Sequence, residues 1–83
     1  MGEGMFSMRK LQIQLKTIND VKDFVNIVSK CSYDVDLSSG RYVVDAKSIM
    51  GIFSLDLSKP INVEIFSDDC EDFLNDIKRF VIA

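Results

Sequence analysis

The sequence predicts an α+β domain, an open sandwich in which a four-stranded antiparallel sheet carries its helices on one face and leaves the other wet. Three observations carry that expectation. Segments with a two-residue apolar period alternate along the chain with segments at helical spacing, in the order β-α-β-β-α-β-α. The segments at 9–16, 33–37 and 61–65 keep a polar side chain at every second position, so each of their faces has one character. The 83 residues, 47% hydrophobic and 28% charged, suffice for one small core and no second.

The elements follow in order. Leu11, Ile13 and Leu15 alternate with Lys10, Gln12, Gln14 and Lys16, as a strand with one solvent-facing side requires. The period then changes. Val21, Phe24, Val25, Val28 and Cys31 fall at helical spacing, with Thr17, Asn19 and Asp20 suited to the cap and first turn and Lys30 to the last. Tyr33, Val35 and Leu37 alternate with Asp34 and Asp36, and Ser38-Ser39-Gly40-Arg41 turns the chain into Tyr42-Val43-Val44, a hairpin. Residues 46–54 are dense in apolar side chains and read as a short helix that starts near Asp45 or Ala46 and holds Ser48 in its first turn. Beyond Leu55, Leu57 and the Lys59-Pro60 bend, Ile61, Val63 and Ile65 alternate with Asn62 and Glu64 in another strand. The last helix draws Phe73, Leu74, Ile77, Phe80 and Val81 into one stripe, with Asp68, Asp69, Glu71 and Asp72 at its positive end and Lys78 and Arg79 at its negative end. Residues 1–8 are expected to form a flexible leader and residues 9–83 a single domain. Element order does not fix strand order, so a ferredoxin-like arrangement competes with the open sandwich.

Composition excludes several functions. Thirteen acidic residues against ten basic ones leave a net charge of −3, which repels phosphate backbones and argues against direct nucleic-acid binding. The chain has no His, so a conventional Ser- or Cys-based triad is beyond it and enzymatic turnover is not expected. Four scattered glycines form no phosphate loop, and the acids near residue 70 lack the ligand spacing of a calcium loop. No metal, cofactor or small-molecule substrate is therefore expected. Cys31 and Cys70 read as free thiols rather than a disulfide framework. No apolar run spans a bilayer and the start lacks a signal peptide's basic and apolar regions, so a cytoplasmic protein is expected, off the membrane. The aromatic pairs Phe73/Phe80 and Tyr33/Tyr42 are expected in core and sheet packing rather than as a stacking platform.

The segment around residue 50 is richer in apolar surface than one core contact requires. As a helix it puts Ile49, Met50 and Phe53 on one side and Ile52 and Leu55 on another. Two readings follow: the helix is wedged in and buries both sides, or it offers one side to a protein partner. Ser48 has two readings as well. It caps the helix start, or it is a modification site where a phosphate meets the unpaired amides and dipole of that start.

The run Lys47-Ser48-Ile49-Met50-Gly51-Ile52, followed by Ser54-Leu55, resembles the regulatory-serine segment of the HPr family, the phosphocarrier proteins of the bacterial sugar phosphotransferase system. Agreement extends to Ser29-Lys30, Asp34-Val35, Leu37 and the hairpin, and covers roughly residues 9–82. The resemblance implies an HPr-like open-faced β-sandwich with three helices on one face and the strands ordered first, fourth, second, third. It also implies that Thr17 stands at the position of the family's phospho-accepting His, and Asn19 at that of its Arg. Thr17 is unable to form the labile phosphoramidate that makes transfer reversible, and Asn19 lacks the guanidinium fork that clamps a phosphate. Within the family, the catabolite-repression paralogue of Gram-positive bacteria likewise lacks the His yet keeps the Ser, which HPr kinase phosphorylates before the protein assists a transcription repressor. On that likeness Ser48 is the regulatory phosphorylation site. Lys47, Ile49, Met50, Gly51 and Phe53 are the partner-binding residues, with Phe53 replacing a usual Met. The implied function is a cytoplasmic regulatory or adaptor protein, not a phosphocarrier, whose partner is HPr kinase/phosphorylase or a transcription regulator. The alternative is a diverged interaction module that keeps the fold without a phosphotransferase role.

Overall fold

In a computed structural model that describes residues 9–67 and 70–82, the chain folds in the expected order. Strand β1 (Arg9–Ile13) leads into α1 (Ile18–Val28), then the hairpin β2 (Val35–Ser39) and β3 (Tyr42–Asp45), then α2 (Ile49–Phe53). Strand β4 (Ile61–Ile65) follows, then α3 (Glu71–Asp76) and a 3-10 turn, Lys78–Phe80. All strand pairs are antiparallel and the sheet order is β1-β4-β2-β3. This is the HPr-like open-faced order, and it removes the ferredoxin-like competitor.

Alternation does the sorting. Val35, Leu37, Ile61, Val63, Ile65 and Ile13 are buried on the inner face, where they join Val21, Phe24 and Val28 of α1, Ile52 of α2 and Phe73 of α3 in one core. Two residues, Gly40 and Arg41, close the hairpin between the paired Ser39 and Tyr42. Gly40 has φ +61°, and no other described residue has a positive φ, the pattern of a type II′ turn with Gly at its first central position.

Several element ends differ from the sequence expectation, each for a local reason. α1 stops at Val28 instead of running on through Cys31. The Ser29 hydroxyl donates back to the Val25 carbonyl (2.7 Å), and Lys30 and Cys31 donate three residues back, to Ile27 and Val28, so the end tightens. Lys30 thus lies past the last turn rather than in it. Tyr33 precedes β2 instead of joining it, and its ring meets Phe73 edge-on at 6.4 Å. α2 is shorter than 46–54. The Ala46 N–H still bonds to the Val35 carbonyl (2.9 Å), which holds Asp45 and Ala46 to the sheet, and a turn from Asp45 to Ser48 delays the helix until Ile49. Ser48 is therefore the N-cap of α2, one step before its first turn.

The final helix is not continuous. α3 ends at Asp76, and after the 3-10 turn Val81 pairs with Ile13 in an isolated bridge. Gln14 N–H donates to Phe80 O and Ile82 N–H to Gln12 O, each 2.9 Å, so main-chain bonding along β1 draws the chain out of the helical stripe. Val81 is consequently exposed and absent from the stripe. Tyr42 also departs from expectation, since it stands on the outermost strand and is 68% exposed. Cys31 and Cys70 are not joined in a disulfide; Cys70 is buried and Cys31 partly so. The expected leader, residues 1–8, and the acids Asp68 and Asp69 lie outside the described residues. Among the described residues no helix is long and apolar enough to cross a membrane.

Candidate functional site

α2 is built from a turn, a cap and a close approach. The Asp45 carboxylate accepts from Lys47 N–H (2.8 Å) and the Asp45 carbonyl from Ser48 N–H (2.9 Å). Ser48 is extended (φ −98°, ψ 102°) and its Oγ accepts from Gly51 N–H at 3.2 Å, satisfying one of the helix's orphan donors. The Lys47 ammonium donates to the Cys31 carbonyl (3.2 Å), linking the helix entry to the end of α1. Gly51 is half-buried. A Cβ there would stand 3.1 Å from Val44 Cβ and 3.2 Å from Ser48 Oγ, so a bare backbone lets α2 approach β3 while keeping its cap.

The two sides of α2 part company. Ile52 and Leu55 are buried, Ile49 is half-buried, and Met50 (77%) and Phe53 (41%) are exposed. Of the two sequence readings of this helix, the one with an uncovered apolar side describes the chain. Met50 and Phe53 therefore sit in water beside the exposed Ser48.

The start of α1 holds Thr17 and Asn19. Thr17 is the N-cap: its hydroxyl accepts from Asp20 N–H (3.0 Å), while the Asp20 carboxylate accepts from Thr17 N–H (3.3 Å) and Lys16 N–H (2.9 Å), a capping box. These bonds, above all the one from Lys16, hold the Asp20 carboxyl below its ordinary range. Arg79 adds to this from the far end of the chain, 3.9 Å from Asp20 and 2.6 Å from Asp23. The Asp20 carboxylate thus takes the two amides that precede the first turn, and the Thr17 hydroxyl serves as the cap acceptor for the Asp20 amide. Asn19 is exposed in the first turn.

Two features escaped the sequence reading. Ile18, between Thr17 and Asn19, is 62% exposed in the first turn of α1. Three positions before Val21 and seven before Val25, it shares their helical side, so the apolar period carries no signal of its exposure. The sequence places Arg79 as a dipole partner of its own helix, and its reach to α1 has no signal in local sequence. Among the described residues, no three His, Cys, Asp or Glu side chains are grouped as a metal ion would need.

A family model described as "PTS HPr component phosphorylation site" matches residues 19–82, beginning two residues past Thr17. The chain is 28% identical to HPr-C-His from Thermoanaerobacter tengcongensis, whose crystal structure superposes with a TM-score of 0.69 over 88% of each chain. The phosphocarrier protein HPr from Bacillus anthracis shares the fold at a TM-score of 0.70, with 24% identity over 92% of this chain and 99% of that one. No curated protein sequence matches the chain.

Proposed function

The chain belongs to the HPr family of the phosphotransferase system, and from that premise we propose that it is a regulatory or adaptor protein rather than a phosphocarrier. It binds a protein partner through α2, with Lys47, Ile49, Met50, Gly51 and Phe53 forming or shaping the contact surface and Ser48 as a phosphorylation switch. Proteins of this family interact with other phosphotransferase-system proteins, so the partner is a protein: HPr kinase/phosphorylase or a transcription regulator of carbon catabolite control. The role is cytoplasmic and involves no turnover of its own. The observation that carries this reading is the pairing of exposed Met50 and Phe53 with the exposed Ser48 at the start of the same helix. A phosphate on Ser48 would add about −1.5 to −2 charge beside that apolar surface and next to Lys47. The absence of any His, with Thr17 engaged as a cap, supports the loss of phosphocarrier activity.

Incubation with an HPr kinase and ATP, followed by mass analysis of wild type and Ser48→Ala, tests the switch. A single phosphate on the wild type and none on the variant is the expected result. An unmodified Ser48 ends the switch proposal. Partner binding that survives Ser48→Asp but is lost in Met50→Asp or Phe53→Asp would instead identify an interaction module without a phosphotransferase role.

A further inference from the structure

We propose that the outer edge of β3 pairs antiparallel with the same edge of a second copy of this chain, joining two sheets across a twofold axis. The two margins of the sheet differ. Along β1, Gln12, Ile13 and Gln14 are engaged by residues 80–82. Among the described residues β3 has β2 on one side only, and the hairpin register decides which of its groups remain. Ser39 and Tyr42 flank the two-residue turn, Leu37 faces Val44, and Ala46 N–H reaches Val35 O. In an antiparallel ladder these alternate pairs exchange the main-chain bonds, so the N–H and C=O of Val43 point away from β2. Asp45 N–H does the same, while its carbonyl is taken by Ser48 N–H. Tyr42 (68% exposed) and Val43 (62%) line this edge with apolar surface, the kind of strand margin that templates further pairing.

The edge is complementary to itself. A twofold register centred on Val43 sets Val43 of one copy against Val43 of the other and Tyr42 against Val44. Arg41 then faces Asp45, and symmetry makes that opposite-charge pair twice. The open face of the sheet favours the same partner. Lys10, Glu64, Asp36 and Asp45 lie in one cross-strand row, three carboxylates with a single cation at the β1 end. Lys10 stands 3.8 Å from Glu64, too far along the row to serve Asp45. Burial and the charges of Asp45, Glu64 and Asp34 push the Asp36 carboxyl above its ordinary range. Arg41 of a second copy would continue the row at the end where positive charge is missing.

An edge of four residues is small, so the dimer is weak and visible only at high concentration. Sedimentation velocity on the full chain, from micromolar to millimolar, tests it. The expected result is a monomer–dimer equilibrium whose Kd rises at least about tenfold in Val43→Pro, which removes an outward N–H that β2 does not use. Arg41→Asp, which sets two carboxylates against each other, should weaken it in the same direction and leaves the ladder intact even where proline disturbs the strand. A monomer at every concentration, or a dimer whose Kd neither substitution changes, overturns the proposal.

Discussion

Asp36 and Asp20 are carboxylates of the same chain moved in opposite directions by their surroundings. Asp20 accepts two amide hydrogen bonds at the head of α1, which favour its charged form. Its contribution to stability is present above the ordinary carboxylate value of 3.8 and fades as pH falls through the lowered one. Asp36 lies between Glu64 and Asp45 on the sheet, and partial burial with those like charges favours its neutral form. The sign reverses: protonated Asp36 favours the fold at low pH, and that gain is lost as pH rises through the raised value. Asp36→Asn should therefore stabilise the protein at neutral pH by about 0.2–1 kcal/mol, the size of a directly opposed like-charge pair, and flatten this part of the pH profile. Urea midpoints at neutral and mildly acidic pH measure it. A variant less stable than wild type at neutral pH would show that Asp36 is held by something other than repulsion. Single residues also show what local sequence can say. Thr17 and Asp20 suit a helix cap and first turn, and there they form a capping box. The Arg79–Asp23 pair spans 56 positions and no local pattern announces it.

At the scale of elements, α2 is the most informative because its two apolar sides have different fates. Ile52 is fully buried and Met50 is not. Ile52→Ala should cost about 2–5 kcal/mol through lost contacts and a cavity. Met50→Ala should stay within about 0.5 kcal/mol, as exposed positions do. Equal costs in urea denaturation would mean that α2 is covered on both sides in solution. The helical period around residue 50 announced too many apolar residues for one contact, but it left open which side faces the sheet. Gly51 bears on that choice, since there the backbone comes close enough to Val44 for a Cβ to be crowded. Boundaries were less legible. The ends of α1 and α3 are set by back-bonding at Ser29 and by main-chain capture along β1, neither of which alters the apolar period.

For the whole molecule, one small core joins every layer. Phe24 meets Phe73 and Phe80 edge-on, with ring centroids 6.3 and 6.0 Å away, so a single ring ties α1 to both pieces of the C-terminal segment. Phe24→Ala should cost about 3–5 kcal/mol, comparable to the lower end of a domain's total stability of about 5–15 kcal/mol. Thermal unfolding followed by circular dichroism should show the variant largely unfolded or melting far below wild type. A drop of only a few degrees would mean that the C-terminal segment does not depend on this contact.

The sequence by itself determined the kinds of element, their order, the face that β1, β2 and β4 bury and the residues able to cap α1 and α2. Those properties follow from periods and side-chain chemistry acting over a few positions. Only the tertiary structure decided that β4 lies between β1 and β2, that Met50 and Phe53 remain in water, that Arg79 reaches Asp20 and Asp23 on α1, and that residues 80–82 leave the helix for β1. Each of these is a choice between partners far apart along the chain. Such choices are made by shape and by the demand of main-chain groups for hydrogen bonds, which no local pattern records.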